Sequence, residues 1–150
     1  MSIILYKYFM LSLFQKTILT QVEFKGIGLH SGLVSKIKIV PADENHGIVF
    51  KRIDLQENNI IKANFLNVFS AKLCTTIQNE FNESISTVEH LLAALYITGI
   101  DNALIEINAS EVPIMDGSSK EFVETILKIG VKEQNKKRKY LKISKKFQFK

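Results

Sequence analysis

Ser86-Thr87-Val88-Glu89-His90 leads directly into Leu91-Leu92-Ala93-Ala94-Leu95. The apolar run predicts an amphipathic helix from about Thr87 to Thr98, stopped by Gly99. At its start a carboxylate stands beside an imidazole. Two readings of that pair are open. Ser86-x-x-Glu89 fits a capping box, in which the serine and the glutamate each satisfy an exposed helix-end N–H. A metallohydrolase needs the same residue types for another purpose: a neutral imidazole to hold a metal and a carboxylate to take a proton from water. A helix N-terminus favours an anionic carboxylate in either case.

Upstream of this stretch the chain reads as strands. Lys16 to Phe24 has a strand pattern, and Lys25-Gly26-Ile27-Gly28 reads as a turn whose glycines allow positive φ. Between Leu33 and Val40, Ile37 and Ile39 alternate with Lys36 and Lys38, a half-buried strand ended by Pro41. Asp43 to Gly47 is a polar turn, Ile48 to Ile53 a strand, and Ile60 to Ala63 a short strand within an ambiguous stretch. Lys72 to Gln78 reads as a short strand holding Cys74, and Asn79 to Glu83 as a turn.

Downstream, Ala103 to Asn108 is a strand with Ile105 and Ile107 on one face. Glu111 to Gly117 is a structured loop in which Asp116 and Gly117 shape the backbone. Ser118-x-x-Glu121 is a second capping box, opening a helix that ends at Gly130 with Phe122, Val123, Ile126 and Leu127 on its apolar face. Lys136 to Lys139 looks like a linker and Tyr140 to Phe149 like a fresh strand. No internal repeat is visible. This order predicts an α+β fold: one mainly antiparallel sheet with two helices packed on one face. The implied organisation is an N-terminal extension over 1–14, one domain over 15–135, and a linker with the first strand of a second domain over 136–150.

The chain has 150 residues, 46% of them hydrophobic and 23% charged, which suits a soluble globular domain. Its single cysteine, Cys74, excludes an internal disulfide framework and a Cys-based zinc site, and it suits a reducing, cytoplasmic setting. The net charge of +5 is local: Val131 to Lys150 holds nine basic residues and one acid, Glu133, so the first 130 residues are net negative. A basic tail can bind nucleic acid, but the body has no basic stripe or aromatic stacking platform, and a solvated tail is expected. Met1 to Phe14 is apolar but too short to span a bilayer, so no transmembrane segment is expected, and it lacks the marks of a signal peptide. Met10, just before a strand pattern, is an alternative start.

Five stretches together resemble one enzyme family: Gly26-Ile27-Gly28-Leu29-His30-Ser31-Gly32, Leu73-Cys74-Thr75-Thr76, Ile85 to Leu91, Ile100-Asp101-Asn102, and Val112-Pro113-Ile114-Met115-Asp116-Gly117-Ser118. They occur in the order found in the UDP-3-O-acyl-N-acetylglucosamine deacetylases of lipid A biosynthesis, and the likeness runs from about Lys16 to the C-terminus. The resemblance implies a zinc-dependent amidohydrolase of two similar α+β domains, of which this chain carries the first. It implies that Glu89 is the general base and His90 a zinc ligand. His30, with its neighbour Leu29, would line the substrate pocket, although a turn histidine with a local hydrogen bond explains its position equally. Cys74 would border the substrate passage or be a structural thiol. His46 has no counterpart and belongs on the surface.

The resemblance also implies parts that this sequence lacks. In the family, two further zinc ligands come from a histidine-lysine-x-x-aspartate motif in the second domain, and the general-acid histidine lies there too. Neither occurs here. The Zn2+ site would therefore be incomplete, and the chain an N-terminal fragment inactive alone. Its partners would be the substrate UDP-3-O-acyl-N-acetylglucosamine and a separately encoded C-terminal half. The alternative is a non-catalytic remnant that acts as an interaction module through an unpaired apolar domain face.

Overall fold

In the computed structural model of the chain, residues 12–140, 144, 145 and 148 are described. The Met10 start and most of the strand expected over Tyr140 to Phe149 lie outside them. Among the described residues, ten strands and two α-helices follow in order: β1 (Phe14–Ile18), β2 (Val22–Ile27), β3 (Val34–Pro41), β4 (Ile48–Arg52), β5 (Ile60–Lys62), β6 (Val68–Ser70), β7 (Thr76–Gln78), β8 (Ser84–Ile85), α1 (Glu89–Thr98), β9 (Ala103–Ile107), α2 (Lys120–Ile129) and β10 (Val131–Lys137). The main sheet has the order β2-β3-β9-β4-β5, antiparallel except for the β4–β9 pair. A small sheet joins β6, β7 and β8, and β1 pairs with β10.

Register turns the alternation read in the sequence into a core. Val22, Ile39, Ile105 and Phe50 lie in one cross-strand row, with Phe24, Ile37 and Ile107 in the next. Side chains of one strand alternate between faces, so these rows share the inner face, and Lys38 and Glu106 pair at 3.4 Å on the outer one. Both helices bury into the same core: Leu91, Ala94 and Leu95 from α1, Phe122 and Ile126 from α2. Phe122 meets Phe24 of β2 edge to face, with ring centroids 4.9 Å apart. The architecture is thus the expected α+β fold, with the strands divided among three sheets and not gathered in the one expected. No helix among the described residues is long and apolar enough to cross a membrane.

Several local expectations are corrected. Lys16 to Phe24 is two strands in different sheets, broken after Ile18, where the Leu19 amide donates to Gly130 O. Alternation continues through such a break because it records burial and not partnership. Gly26 is in β2, and the turn lies at residues 29–31. The glycine serves close approach instead: a Cβ there would come within 3.0 Å of Pro113 Cβ and 3.2 Å of Met115 Sδ. Cys74 sits in a bend ahead of β7. Lys136 and Lys137, expected in a linker, belong to β10. Helix α1 is not amphipathic: only Tyr96 within it is exposed, because the helix is covered on several sides.

The β1–β10 pair is fastened to the main domain by polar groups. Asn102, 1% exposed, donates to Gln15 Oε1 at 2.9 Å and to Gln134 Oε1 at 2.8 Å, and accepts from the Gly47 amide at 2.8 Å. Arg138, part of the basic run expected to be solvated, reaches both Asp101 oxygens at 2.9 Å and donates to Gly99 O at the end of α1. Removing one partner strands the others without water. Asn102→Ala is therefore expected to cost about 1–3 kcal/mol or slightly more in urea unfolding. Lys132→Ala, on an exposed β10 position, should stay within about 0.5 kcal/mol.

Candidate active site

Thr87 is the pivot of the region. It is 2% exposed and left-handed at φ 57°, a conformation a β-branched residue rarely adopts. Its hydroxyl donates to Glu111 Oε1 at 2.9 Å. The same carboxylate accepts the His30 amide at 2.9 Å and the Ser31 amide at 2.8 Å. Backbone bonds run alongside, from the Ser86 amide to Ser110 O, from Val112 to Ser86 O, and from Ile114 to Ile27 O. Loop 29–31, the start of α1 and the segment 110–114 thus meet on one carboxylate.

Glu111 itself is 2% exposed. Burial pushes its carboxyl upward, but the Ser31 hydroxyl, the two amides and the Thr87 hydroxyl outweigh that and hold it down at about 2. Gly28 makes the approach possible, since a Cβ there would overlap Ser31 Oγ and the Glu111 carboxylate. Sequence reading missed Glu111 as a site residue. A glutamate in a loop reads as solvated, and the only hint was the apolar run Val112-Pro113-Ile114 that follows it.

The capping box at Ser86 and Glu89 does not form. The N-cap position is Val88, which has no side-chain cap. The Ser86 hydroxyl donates to Ser110 O at 3.3 Å, and Glu89 Oε2 accepts the Thr75 amide at 3.0 Å. The Glu89 carboxylate is drawn outward to the 73–76 segment, and its other oxygen has no hydrogen bond among the described residues. The second box does not form in its reciprocal form either: the Ser118 hydroxyl accepts the Lys120 amide and donates to Asp116 Oδ1. Asp116 and Gly117, at φ 79°, shape the loop as expected.

His90 follows Glu89 and is half-buried, with its carbonyl accepting the Ser119 hydroxyl at 2.8 Å. Its Nδ1 is buried with no hydrogen-bond partner among the described residues, the kind of orphaned atom that a ligand or water satisfies. Thr75, which holds Glu89, adjoins half-buried Cys74, whose Sγ lies 3.8 Å from Thr76 Oγ1. Leu29 and His30 are exposed on the turn that Glu111 fastens. The structure thereby ties together the segments carrying Leu29, His30, Cys74, Glu89 and His90. His46 stands apart on the surface, its Nδ1 3.1 Å from Gly47 O. Among the described residues, apart from asparagines, the positive-φ residues other than glycine are Leu73, Thr87 and Met115, one in each of three segments gathered here. Such conformations persist only where the surroundings over-determine them, and they cluster at functional sites. No group of three or more His, Cys, Asp or Glu side chains able to hold a metal occurs among the described residues.

The chain is thus an α+β fold that presents a carboxylate and an adjacent imidazole at a helix start. The family model for LpxC, UDP-3-O-acyl N-acetylglycosamine deacetylase, matches residues 15–150, and the chain belongs to that family. It is 50% identical over 132 residues to the UDP-3-O-acyl-N-acetylglucosamine deacetylase of Geotalea uraniireducens (strain Rf4), covering 88% of this chain and 43% of that relative. It is 48% identical over 133 residues to the deacetylase of the same name from Geobacter sp. (strain M21), covering 89% of this chain and 43% of the relative. The protein of that name from Shewanella denitrificans (strain OS217 / ATCC BAA-1090 / DSM 15013) is 46% identical over 133 residues, 89% of this chain and 44% of the relative. The chain spans less than half the length of these curated relatives.

The low Glu111 value makes stability depend on pH with a definite sign. Its carboxyl is lowered on folding from an ordinary 4.5 to about 2, so the stabilisation is complete above about pH 4.5 and is lost as pH falls through about 2. The amount is on the order of 3 kcal/mol. Urea unfolding of Glu111→Gln is expected to depend less steeply on pH over that window than unfolding of the parent chain.

Proposed function

We propose that this chain is the base-bearing part of a zinc-dependent deacetylase that removes the N-acetyl group of UDP-3-O-acyl-N-acetylglucosamine in lipid A biosynthesis. The observation that carries this reading is the placement of Glu89: one carboxylate oxygen is held by the Thr75 amide, and the other, like the buried Nδ1 of adjacent His90, has no hydrogen-bond partner among the described residues. Family membership supplies the reaction class. In that role the unengaged Glu89 oxygen accepts a proton as water attacks the acetyl carbonyl carbon. The carbon–nitrogen bond then breaks, releasing acetate and the glucosamine amine. Substrate would approach past the turn bearing Leu29 and His30 and past Cys74.

His90 suits one zinc ligand by donor chemistry. A catalytic zinc takes about three protein ligands, and the described residues gather no such set, so they do not form a zinc site by themselves. The remaining ligands and the acid that protonates the leaving amine must come from elsewhere, in this proposal from a C-terminal half of the kind the family resemblance implies. The free thiol of Cys74 fits a cytoplasmic setting. The interaction-module reading has one observation in its favour, the exposure of Phe65, Leu66, Phe69 and Leu73 along one segment.

The test mixes the chain with the C-terminal portion of the Geotalea uraniireducens relative and follows acetate release. Glu89→Gln should lower the rate by roughly 10²–10⁴-fold, the usual contribution of a general base. An unchanged rate would overturn the role given to Glu89 and favour the interaction module. The chain alone should bind zinc more weakly than about micromolar, for want of ligands. Tighter binding that His90→Ala abolishes would show that the chain carries a complete site.

A further inference from the structure

We propose that Glu111 is a positioning residue: its buried carboxylate fixes the Leu29–His30 turn against the start of α1, giving the turn and the Glu89–His90 pair one relative placement. This rests on the reading of Glu89 and His90 as the reactive pair.

The chemistry requires an acceptor with no hydrogen of its own. The His30 amide, the Ser31 amide and the Thr87 hydroxyl all aim at the two Glu111 oxygens, at 2.8–2.9 Å. An ionised carboxylate has about four lone-pair positions and no donor, so it takes all of them. A glutamine would turn an N–H toward at least one donor. Hydrogen bonds to a charged, buried acceptor are about twice as strong as neutral ones. The contacts come from stretches far apart in sequence. His30 lies 81 residues from Glu111 in sequence and Thr87 lies 24 away.

The backbone is built around this contact. Thr87 is held at φ 57°, a strained conformation for a β-branched residue that persists only where the surroundings enforce it. Its hydroxyl bond to Glu111 is such an enforcement, and the chain enters α1 two residues later at Glu89. On the other side, Gly28 leaves no room for a side chain between Ser31 and the carboxylate, so the turn closes directly on it. No hydrogen bond joins Thr87 to the turn directly among the described residues; the Glu111 carboxylate links them, alongside the backbone bonds that hold segment 110–114 to Ser86 and Ile27.

The experiment is nuclear magnetic resonance on the ¹⁵N-labelled 150-residue chain, with Thr87→Val, Ser31→Ala and Glu111→Gln. Thr87→Val should shift the His30 and Ser31 amide signals, and Ser31→Ala should shift those of Thr87 and Glu89 and the His90 ring. Glu111→Gln should speed amide exchange at His30 and Ser31 by roughly 10–100-fold, while β3 and β9 amides keep their protection. A residue that merely contributes stability would instead speed exchange evenly and leave the cross-site signals in place, and that result would overturn the proposal. Unmoved His30 and Ser31 amides in Thr87→Val would also overturn it, even where Glu111→Gln does not fold. These readouts report position and not turnover. Loss of the Glu89 role would leave the amide coupling intact, and loss of the coupling would leave the Glu89 test unaffected.

Discussion

A buried carboxylate is tolerated only when donors saturate it, and Glu111 meets that condition with groups from two separate stretches of chain. Much of the local structure follows from the requirement. The turn at 29–31 must present two consecutive amides, which places Gly28 where a side chain would collide. Thr87 must direct its hydroxyl inward, and it does so from a left-handed conformation. Segment 110–114 must run beside both Ser86 and Ile27, and its backbone bonds to each hold it there.

The same economy governs Glu89. A capping glutamate would bend back along its own helix and be consumed there. Here the helix begins without a side-chain cap, and the carboxylate reaches Thr75 instead. Its position in the first turn still benefits from the positive end of the helix dipole. The result is a carboxylate fixed by one oxygen and unengaged at the other, next to an imidazole whose Nδ1 lacks a partner among the described residues. Rigid support on one side and open valence on the other is what the proposed base role of Glu89 requires and an ordinary helix start lacks.

At the opposite end of α1 the polar groups have a different task. Asn102 and Arg138 attach the β1–β10 pair to the main domain, Asn102 through Gln15 and Gln134, Arg138 through Asp101 and Gly99. Composition described residues 131–150 as a basic tail. Arg138 is instead largely enclosed, because the guanidinium has a carboxylate and a helix-end carbonyl within reach. Charge counted along the chain says nothing about which charges find partners.

What the sequence determined by itself was whatever repeats within a few residues. Ile37 with Ile39 and Ile105 with Ile107 marked strand faces, Gly99 marked the end of α1, and Glu89 with His90 marked the pair proposed to carry the chemistry. These depend on strand alternation, on backbone freedom and on neighbouring residue types, all local properties. Only the tertiary structure decided where the strand pattern from Lys16 to Phe24 changes sheet, that Val131–Lys137 is a strand, that Ser86 does not cap α1, and that Glu111 lies at the centre of the site. Each of those depends on a partner far away in sequence: Gly130 for Leu19, Phe14 to Ile18 for β10, Ser110 for Ser86, and His30 for Glu111. A side chain's own identity states what bonds it can make, and only the folded chain determines which group arrives to make them.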